Sequence, residues 1–382
     1  MFSGCTKLSN LISFDFSGDN ARYVYNMFYN AEGITNLKFD NFKITKSLRM
    51  SSMFQGMKSL TSIDVSGIDT SSMEYLDELF EGDYSLTTIK GFENLNTQNV
   101  KGTNLMFGGC SSLETLDFKN FQSNKIQFMQ KMFLNCTSLV NLDVSKLLGN
   151  EVMDITSTFE GCTKLVSLNF ENFETPKLIN LVRTFKNCRN LTELKLPKLK
   201  TSEISSFSEL FLNCEKLKSL DLSSWDVSGA THFDSTFEGC KELITLNLQN
   251  WKSKYVNVMT KMFKDCNKLE NLNITDLAPD IVQFMPEMFS ECHSLTSLDL
   301  SQFKTGNVVD MTKLFYNTKK LAYLNLKNFD TTDLDKDKTT DMFYNINDGK
   351  EMEIVVDLEK CKAFDGIIPK NANITKPDSS FE

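Results

Sequence analysis

The 382-residue chain contains no run of eighteen apolar residues and only two histidines. The first absence excludes a hydrophobic helix long enough to span a membrane. The second leaves little for acid–base or metal chemistry, because His232 and His293 stand at different points of the pattern described below and do not converge. No G-x-S-x-G, H-E-x-x-H, G-x-G-x-x-G or Walker string occurs, so the common nucleophile, metallohydrolase and nucleotide sites have no carrier. Ten cysteines are present but no C-x-x-C pair, which disfavours zinc. No basic cluster interrupts the alternation of Lys with Asp and Glu, and the net charge is −9. That balance argues against nucleic acid or an anionic membrane as partner. The expectation is a protein with no catalysis, cofactor or metal.

What the chain has is a period. Phenylalanine recurs at Phe2, Phe28, Phe54, Phe80, Phe107, Phe133, Phe159, Phe185, Phe211, Phe237, Phe263, Phe289, Phe315 and Phe343, at intervals of 26 residues except one of 27 and a last one of 28. Such a period is the signature of a solenoid, in which each unit repeats the place of its predecessor. Three places after the anchor comes Cys (Cys5, Cys110, Cys136, Cys162, Cys188, Cys214, Cys240, Cys266, Cys292), replaced by Ala31, Met57, Asp83 and Thr318 in other units. Six and nine places on come Leu residues such as Leu139 and Leu142, and eleven places on a further apolar residue such as Val144. The L-x-x-L-x-L string predicts a short strand fed by a turn. A bulky apolar residue follows at fourteen places (Phe121, Phe173, Trp225, Trp251). The second apolar run, cleanest in FKTGNVVDMTKLF from Phe303 to Phe315, spaces Val308, Met311 and Leu314 by three and predicts a helical or 3₁₀ turn.

The expected fold is an α/β repeat solenoid of leucine-rich-repeat type, with one short parallel strand and one short helical or 3₁₀ turn per unit. One rung cannot stand alone. Its eight or so apolar side chains contribute roughly 1.5–3 kcal/mol each, against about 1–2 kcal/mol for ordering every residue of its backbone. Burial between neighbours closes that gap. The sequence divides into an array over 1–345 of about 13 to 14 units, a C-terminal cap over 346–370 and a polar, mobile tail over 371–382. The opening MFSGC is already an anchor segment, so a cap over the first rung, and any export signal with it, is expected ahead of Met1. No signal peptide or lipidation pattern occurs in the chain itself.

The Phe, the Cys three places on, the Leu three further and the following strand resemble BspA-like leucine-rich repeats. The string N-V-x-D-M-x-x-L/M-F, matched by Asn307 to Phe315, resembles the mycoplasma-lipoprotein variety of bacterial surface proteins. The resemblance spans about residues 1–345. It implies a surface-displayed or secreted adhesion protein that binds a protein or glycan, and it implies no defined ligand and no catalytic residue. A structural stalk or spacer, or an intracellular scaffold or effector, is the alternative, and a monomer is the expected state.

Nine cysteines in one register are read as buried reduced thiols, since parallel neighbours leave the Cβ atoms too far apart for a disulfide. Ten places after the anchor an outward row of Asp and Asn runs from Asp64 to Asn325, broken by Lys38, Lys90 and Lys195. It is read as solvated surface with local hydrogen bonding in preference to a calcium ladder. Asp333, Asp335 and Asp337 open like a calcium loop, but glycine is missing at the sixth place and Tyr344 stands at the twelfth. Binding energy concentrates on aromatic and Arg anchors. The candidate partner-binding residues are therefore Tyr323 with Asn325 and Asp299, where an aromatic interrupts a small polar face, and Glu193 with Lys195 midway.

Overall fold

The computed structural model describes residues 1–382 except 10, 18–20, 44–45, 148, 171–172, 197–198 and 378–382. The chain forms two compact units, Met1–Lys200 and Thr201–Glu382. In the first lie β1 (Ser13–Ser17), β2 (Asn36–Lys43), β3 (Ser62–Asp64), β4 (Ile68–Asp69), β5 (Thr88–Lys90), β6 (Asn141–Asp143), β7 (Ser167–Asn169) and β8 (Glu193–Lys195). In the second lie β9 (Ser219–Asp221), β10 (Thr245–Asn247), β11 (Ser297–Asp299), β12 (Tyr323–Asn325), β13 (Met352–Val355) and β14 (Ala372–Thr375). The strand pairings are parallel, and those between three-residue strands of neighbouring repeats keep the repeat register, for example Ser167↔Glu193 and Leu168↔Leu194; β1 and β2 shift register between Phe14 and Asp15. Each unit is a parallel solenoid of leucine-rich-repeat type, one turn per repeat.

The anchors form ring columns. In the first unit Phe107, Phe133, Phe159 and Phe185 stack face to face at 5.6–5.8 Å; in the second, Phe211, Phe237, Phe263 and Phe289 do so at 5.5–5.7 Å. Such offset pairs add to the burial of each ring. All these rings are buried, whereas Phe2 is half-buried. Trp251, fourteen places after its anchor, is also buried and donates its indole N–H to Leu222 O at 3.0 Å.

The backbone around each anchor explains the tight period. Every second N–H there donates to the next rung, as Phe133 to Thr158 O and Asn135 to Glu160 O, while those between close turns inside their own rung, as Leu134 to Lys131 O. The turns require a left-handed residue two places before and two places after every anchor. The earlier place holds ordinary residues such as Glu78, Leu105 and Arg183, and the later one holds Gly, Asn, Asp or Glu. At the later place Asn is followed by Gly in several next rungs. A Cβ on Gly161 would run into Asn135 Oδ1.

The run expected as a helical or 3₁₀ turn is built differently. Val308 closes a turn on Thr305 and Leu314 one on Met311, Asp310 bridges to Phe284, and Lys313 is left-handed. The spacing of three comes from successive tight turns, and the left-handed residue prevents a helix. The 3₁₀ helices described are Phe92–Asn94, Lys336–Thr339, Ile346–Gly349 and Lys362–Phe364.

Among the cysteines of the register, eight are buried and none is disulfide-bonded. Buried thiols of the register donate to the carbonyl of the preceding anchor, as Cys136 to Phe107 O at 3.1 Å and Cys266 to Phe237 O at 3.2 Å. Burial pushes the Cys162 and Cys240 thiols up to about 12. Cys5 departs from the expectation and is exposed. Cys361, outside the register, imitates it by donating to Phe329 O at 3.2 Å.

At the C-terminal end β13 pairs with β12, and Lys362–Phe364 packs against Lys336–Thr339, whose Thr339 hydroxyl donates to Ala363 O at 3.3 Å, with Phe364 buried. Part of the segment expected as a mobile tail is strand β14, paired with β13 from Met352↔Ala372 to Val355↔Thr375; residues 378–382 lie outside the described residues. No helix among the described residues is long and apolar enough to cross a membrane.

Candidate functional site: the strand face

On the three-residue strands other than β5 the middle residue is buried and its neighbours face outward, as in Asn141–Leu142–Asp143; in β5 the middle Ile89 is half-buried. The outward Asp/Asn row has a local role. Its side-chain oxygen accepts the N–H two residues on: Asp143 from Ser145 at 2.9 Å, Asp221 from Ser223 at 3.0 Å, Asn273 from Thr275 at 3.2 Å, Asn325 from Lys327 at 3.1 Å. These Asx turns end the strands. Hydrogen bonds from Ser223 hold the Asp221 carboxyl below its usual range. Across rungs, the Ser167 hydroxyl donates to Asn141 Oδ1 at 2.6 Å.

The face of the first unit is broken at one place, and the 27-residue interval accounts for it. The extra residue is Gly91, left-handed directly after β5, where a Cβ would run into the backbone of Ser66. The apolar sequence resumes one place late at Phe92, which opens the 3₁₀ helix. In regular rungs the N–H eleven places after the anchor reaches the next strand, as Val65 to Lys90 O and Val144 to Asn169 O. After Gly91, Thr115–Asp117, where the next strand is due, forms no ladder among the described residues. Leu116 is correspondingly half-buried, although Leu142 and Leu168 at the same place are buried. A groove of about 760 Å³ opens there and extends over Asp117, Asn141, Asp143, Ser167 and Asn169 to Glu193 and Lys195. Val140 and Val166 stand exposed beside these strands.

The structure thus brings Glu193 and Lys195 together as the exposed ends of β8 in that groove. The other candidates lie in the second unit. Tyr323 is half-buried on β12, in register with Ser297 on one side and Glu353 on the other, while Asp299 and Asn325 pair one step further along the same strands. Burial first, then Asp299 and Glu353, raise the Tyr323 hydroxyl above its usual range. A second groove of about 690 Å³ covers Ser219 to Ser297 and does not include Tyr323. What sequence reasoning missed is the groove over Leu116; its signal was the single 27-residue interval.

Asp337 pairs with Lys338 at 3.3 Å, and His293 with Glu291 at 2.8 Å. His232 meets the Thr231 hydroxyl at 2.8 Å. Among the described residues no three His, Cys, Asp or Glu side chains gather as a metal-binding group.

Compared with solved structures, the chain is similar to a leucine-rich repeat protein from Bacteroides ovatus, with 14% identity and a TM-score of 0.52, over 99% of this chain and 86% of that one. It is similar, at a TM-score of 0.38 and 13% identity, to a leucine-rich cell surface protein from Faecalibacterium prausnitzii, over 82% and 87% of the two chains. The functional domain of InlJ from Listeria monocytogenes, described as including a cysteine ladder, aligns at 16% identity and a TM-score of 0.24 over 97% and 73%. No curated protein matches the chain. Residues 1–65, 48–168, 153–275 and 231–354 match one family in four overlapping stretches that follow the repeats, and the chain belongs to that family, described as Mycoplasma protein of unknown function, DUF285.

Proposed function

We propose that the protein is a non-catalytic binding or adhesion protein, displayed at the cell surface or secreted, that holds a protein or glycan partner on its strand face as a monomer. The array over 1–345 carries the face, and 346–370 close it. The observation that supports this reading best is the groove over Leu116. There the extra residue Gly91 is associated with a lost ladder, a half-exposed Leu and a concave surface lined by hydrogen-bonding groups. Sheet regularity given up at one rung, with Asn and Ser side chains lining the concavity, suits recognition. The surface location is supported by the resemblance of the Asn307–Phe315 string to the mycoplasma-lipoprotein variety of bacterial surface proteins.

The test is to screen the purified chain against arrays of extracellular proteins and glycans, and to repeat every hit with Asn169→Arg and Glu193→Ala. A partner of the groove weakens by about 1 kcal/mol or more in these variants at unchanged melting temperature. Hits indifferent to both variants move the site elsewhere, and the absence of any hit favours the spacer.

A further inference from the structure

The two strand faces differ in how many of their carboxylates are ion-paired. In the first unit Asp40 is ion-paired with Lys38, Asp64 with Lys90 at 2.9 Å, and Asp117 with Lys119 at 3.3 Å, while Asp143 is held by the Ser145 N–H at 2.9 Å. In the second unit Asp221, Asp299 and Glu353 form no ion pair among the described residues. Asp221 is held by Ser223, Asp299 by the Ser301 N–H at 2.8 Å, and Glu353 by the Thr375 hydroxyl at 3.3 Å. Glu270 adds an exposed carboxylate to the same face; Lys218 and Lys327, at the strand ends, pair with none of them. The carboxylates of this face therefore outnumber the two lysines at its strand ends and form no ion pair among the described residues. The single strand aromatic of the face, Tyr323, stands among them, flanked by Glu353 directly and Asp299 diagonally on strands whose spacing is about 4.8 Å.

We infer that the strand face of the second unit binds a basic polypeptide segment, with one Arg or Lys side chain laid over the Tyr323 ring between Asp299 and Glu353. An aromatic face attracts a cation through its quadrupole. A carboxylate on either side supplies charge-assisted acceptors for the N–H groups of a guanidinium. Both acids keep one oxygen beyond the bond that holds them, so accepting the ligand breaks nothing. Asp221 and Glu270 extend the acidic track towards the other end of the unit for further basic residues. Tyr323 is half-buried, so the ring is already held in place and little side-chain entropy is lost on binding.

The inference rests on the binding reading above but uses a different unit, so the two fail separately. The probe is a ten-residue peptide of alternating Arg and Ser carrying a fluorophore, measured by anisotropy against the full chain at 150 mM salt. Its counterpart has citrulline in place of Arg. The expected result is saturable binding of the Arg peptide, absent for the citrulline peptide. That binding weakens about fivefold or more in Tyr323→Leu, Asp299→Asn and Glu353→Gln. It stays within about twofold in Tyr323→Phe, which keeps the ring, and in Asp64→Asn, which alters the first unit. No binding, equal binding of the citrulline peptide, or the same loss in Asp64→Asn as in Asp299→Asn overturns the inference. A partner that is lost with Asn169→Arg, while the Arg peptide does not bind, leaves the first groove standing and refutes this one alone.

Discussion

Asp83 occupies the cysteine place of its rung and is fully buried. Its Oδ1 accepts the Met57 N–H at 2.7 Å, and its Oδ2 has no hydrogen-bond partner. Burial pushes the carboxyl well above the usual carboxylate range. Replacing it by Cys should stabilise the protein. The unsatisfied oxygen, costing about 1–3 kcal/mol, is removed. The Met57 N–H can turn to Phe54 O, as the equivalent Ala31 N–H does to Phe28 O at 2.9 Å. The new thiol can donate to Phe54 O, as that of the next rung, Cys110, does to Phe80 O at 3.1 Å.

The pH dependence has a definite sign. An acid whose folded pKa is raised keeps its proton in the folded chain after the unfolded chain has lost it, near pH 4. Stability relative to Asp83→Cys is therefore best preserved below about pH 4. It falls by at most about 1.4 kcal/mol per pH unit as pH rises towards the folded pKa. Urea unfolding of both proteins between pH 4 and 8 measures the gap, and amide exchange at Met57 and Cys110 localises it. A lower midpoint for Asp83→Cys, or a gap independent of pH, would refute the reasoning.

Three further outcomes follow from the packing. Phe237→Ala removes a ring stacked on both sides, at 5.7 Å from Phe211 and 5.6 Å from Phe263, and should cost about 3–5 kcal/mol; unchanged thermal and urea midpoints would contradict the stacked core. In native protein a thiol reagent should modify Cys5 promptly and the nine buried cysteines only after denaturation, and disulfides found by non-reducing mass spectrometry would contradict this. Deleting Gly91 should restore the 26-residue interval and bring the Leu116 amide under exchange protection; an unchanged exchange rate in a folded variant would separate the groove from the extra residue.

The columns of the core were legible because they need one residue type at one place. Phe133, Cys136, Leu139 and Leu142 can be read from the sequence as a rung, and the structure buries all four. The outward Asp/Asn row was legible as a surface with local hydrogen bonding, but its partner was not. Its role depends on the backbone N–H two residues on, which no side-chain pattern displays. The left-handed places were hidden for a related reason. Leu105, Lys131 and Arg183 share a conformation without sharing any chemistry, since the neighbouring rungs impose it through backbone bonds. The spacing of Val308, Met311 and Leu314 suggested a helix because successive three-residue turns and one helical face produce the same period. Glu193 and Lys195 were visible as an interruption of the small polar face, but the concavity around them depends on Gly91, some hundred residues earlier.

The bonds that link the anchor segments have one direction. In each unit the N–H groups of Phe54, Phe80 and Phe107, or of Phe237, Phe263 and Phe289, all point to carbonyls of the following rung. Ordinary parallel strands donate both ways and nearly cancel their dipoles. Here the peptides of the anchor column align, each with about 3.5 D, in the manner of a helix. The column is therefore electrically polar, with its positive end towards the later rungs. In the second unit the alignment ends at the rung of Phe343, whose N–H and that of Asn345 meet no acceptor among the described residues. A negative group at that end lowers the energy of every rung behind it, so the stack has a sense of direction that its nearly identical repeats would not suggest.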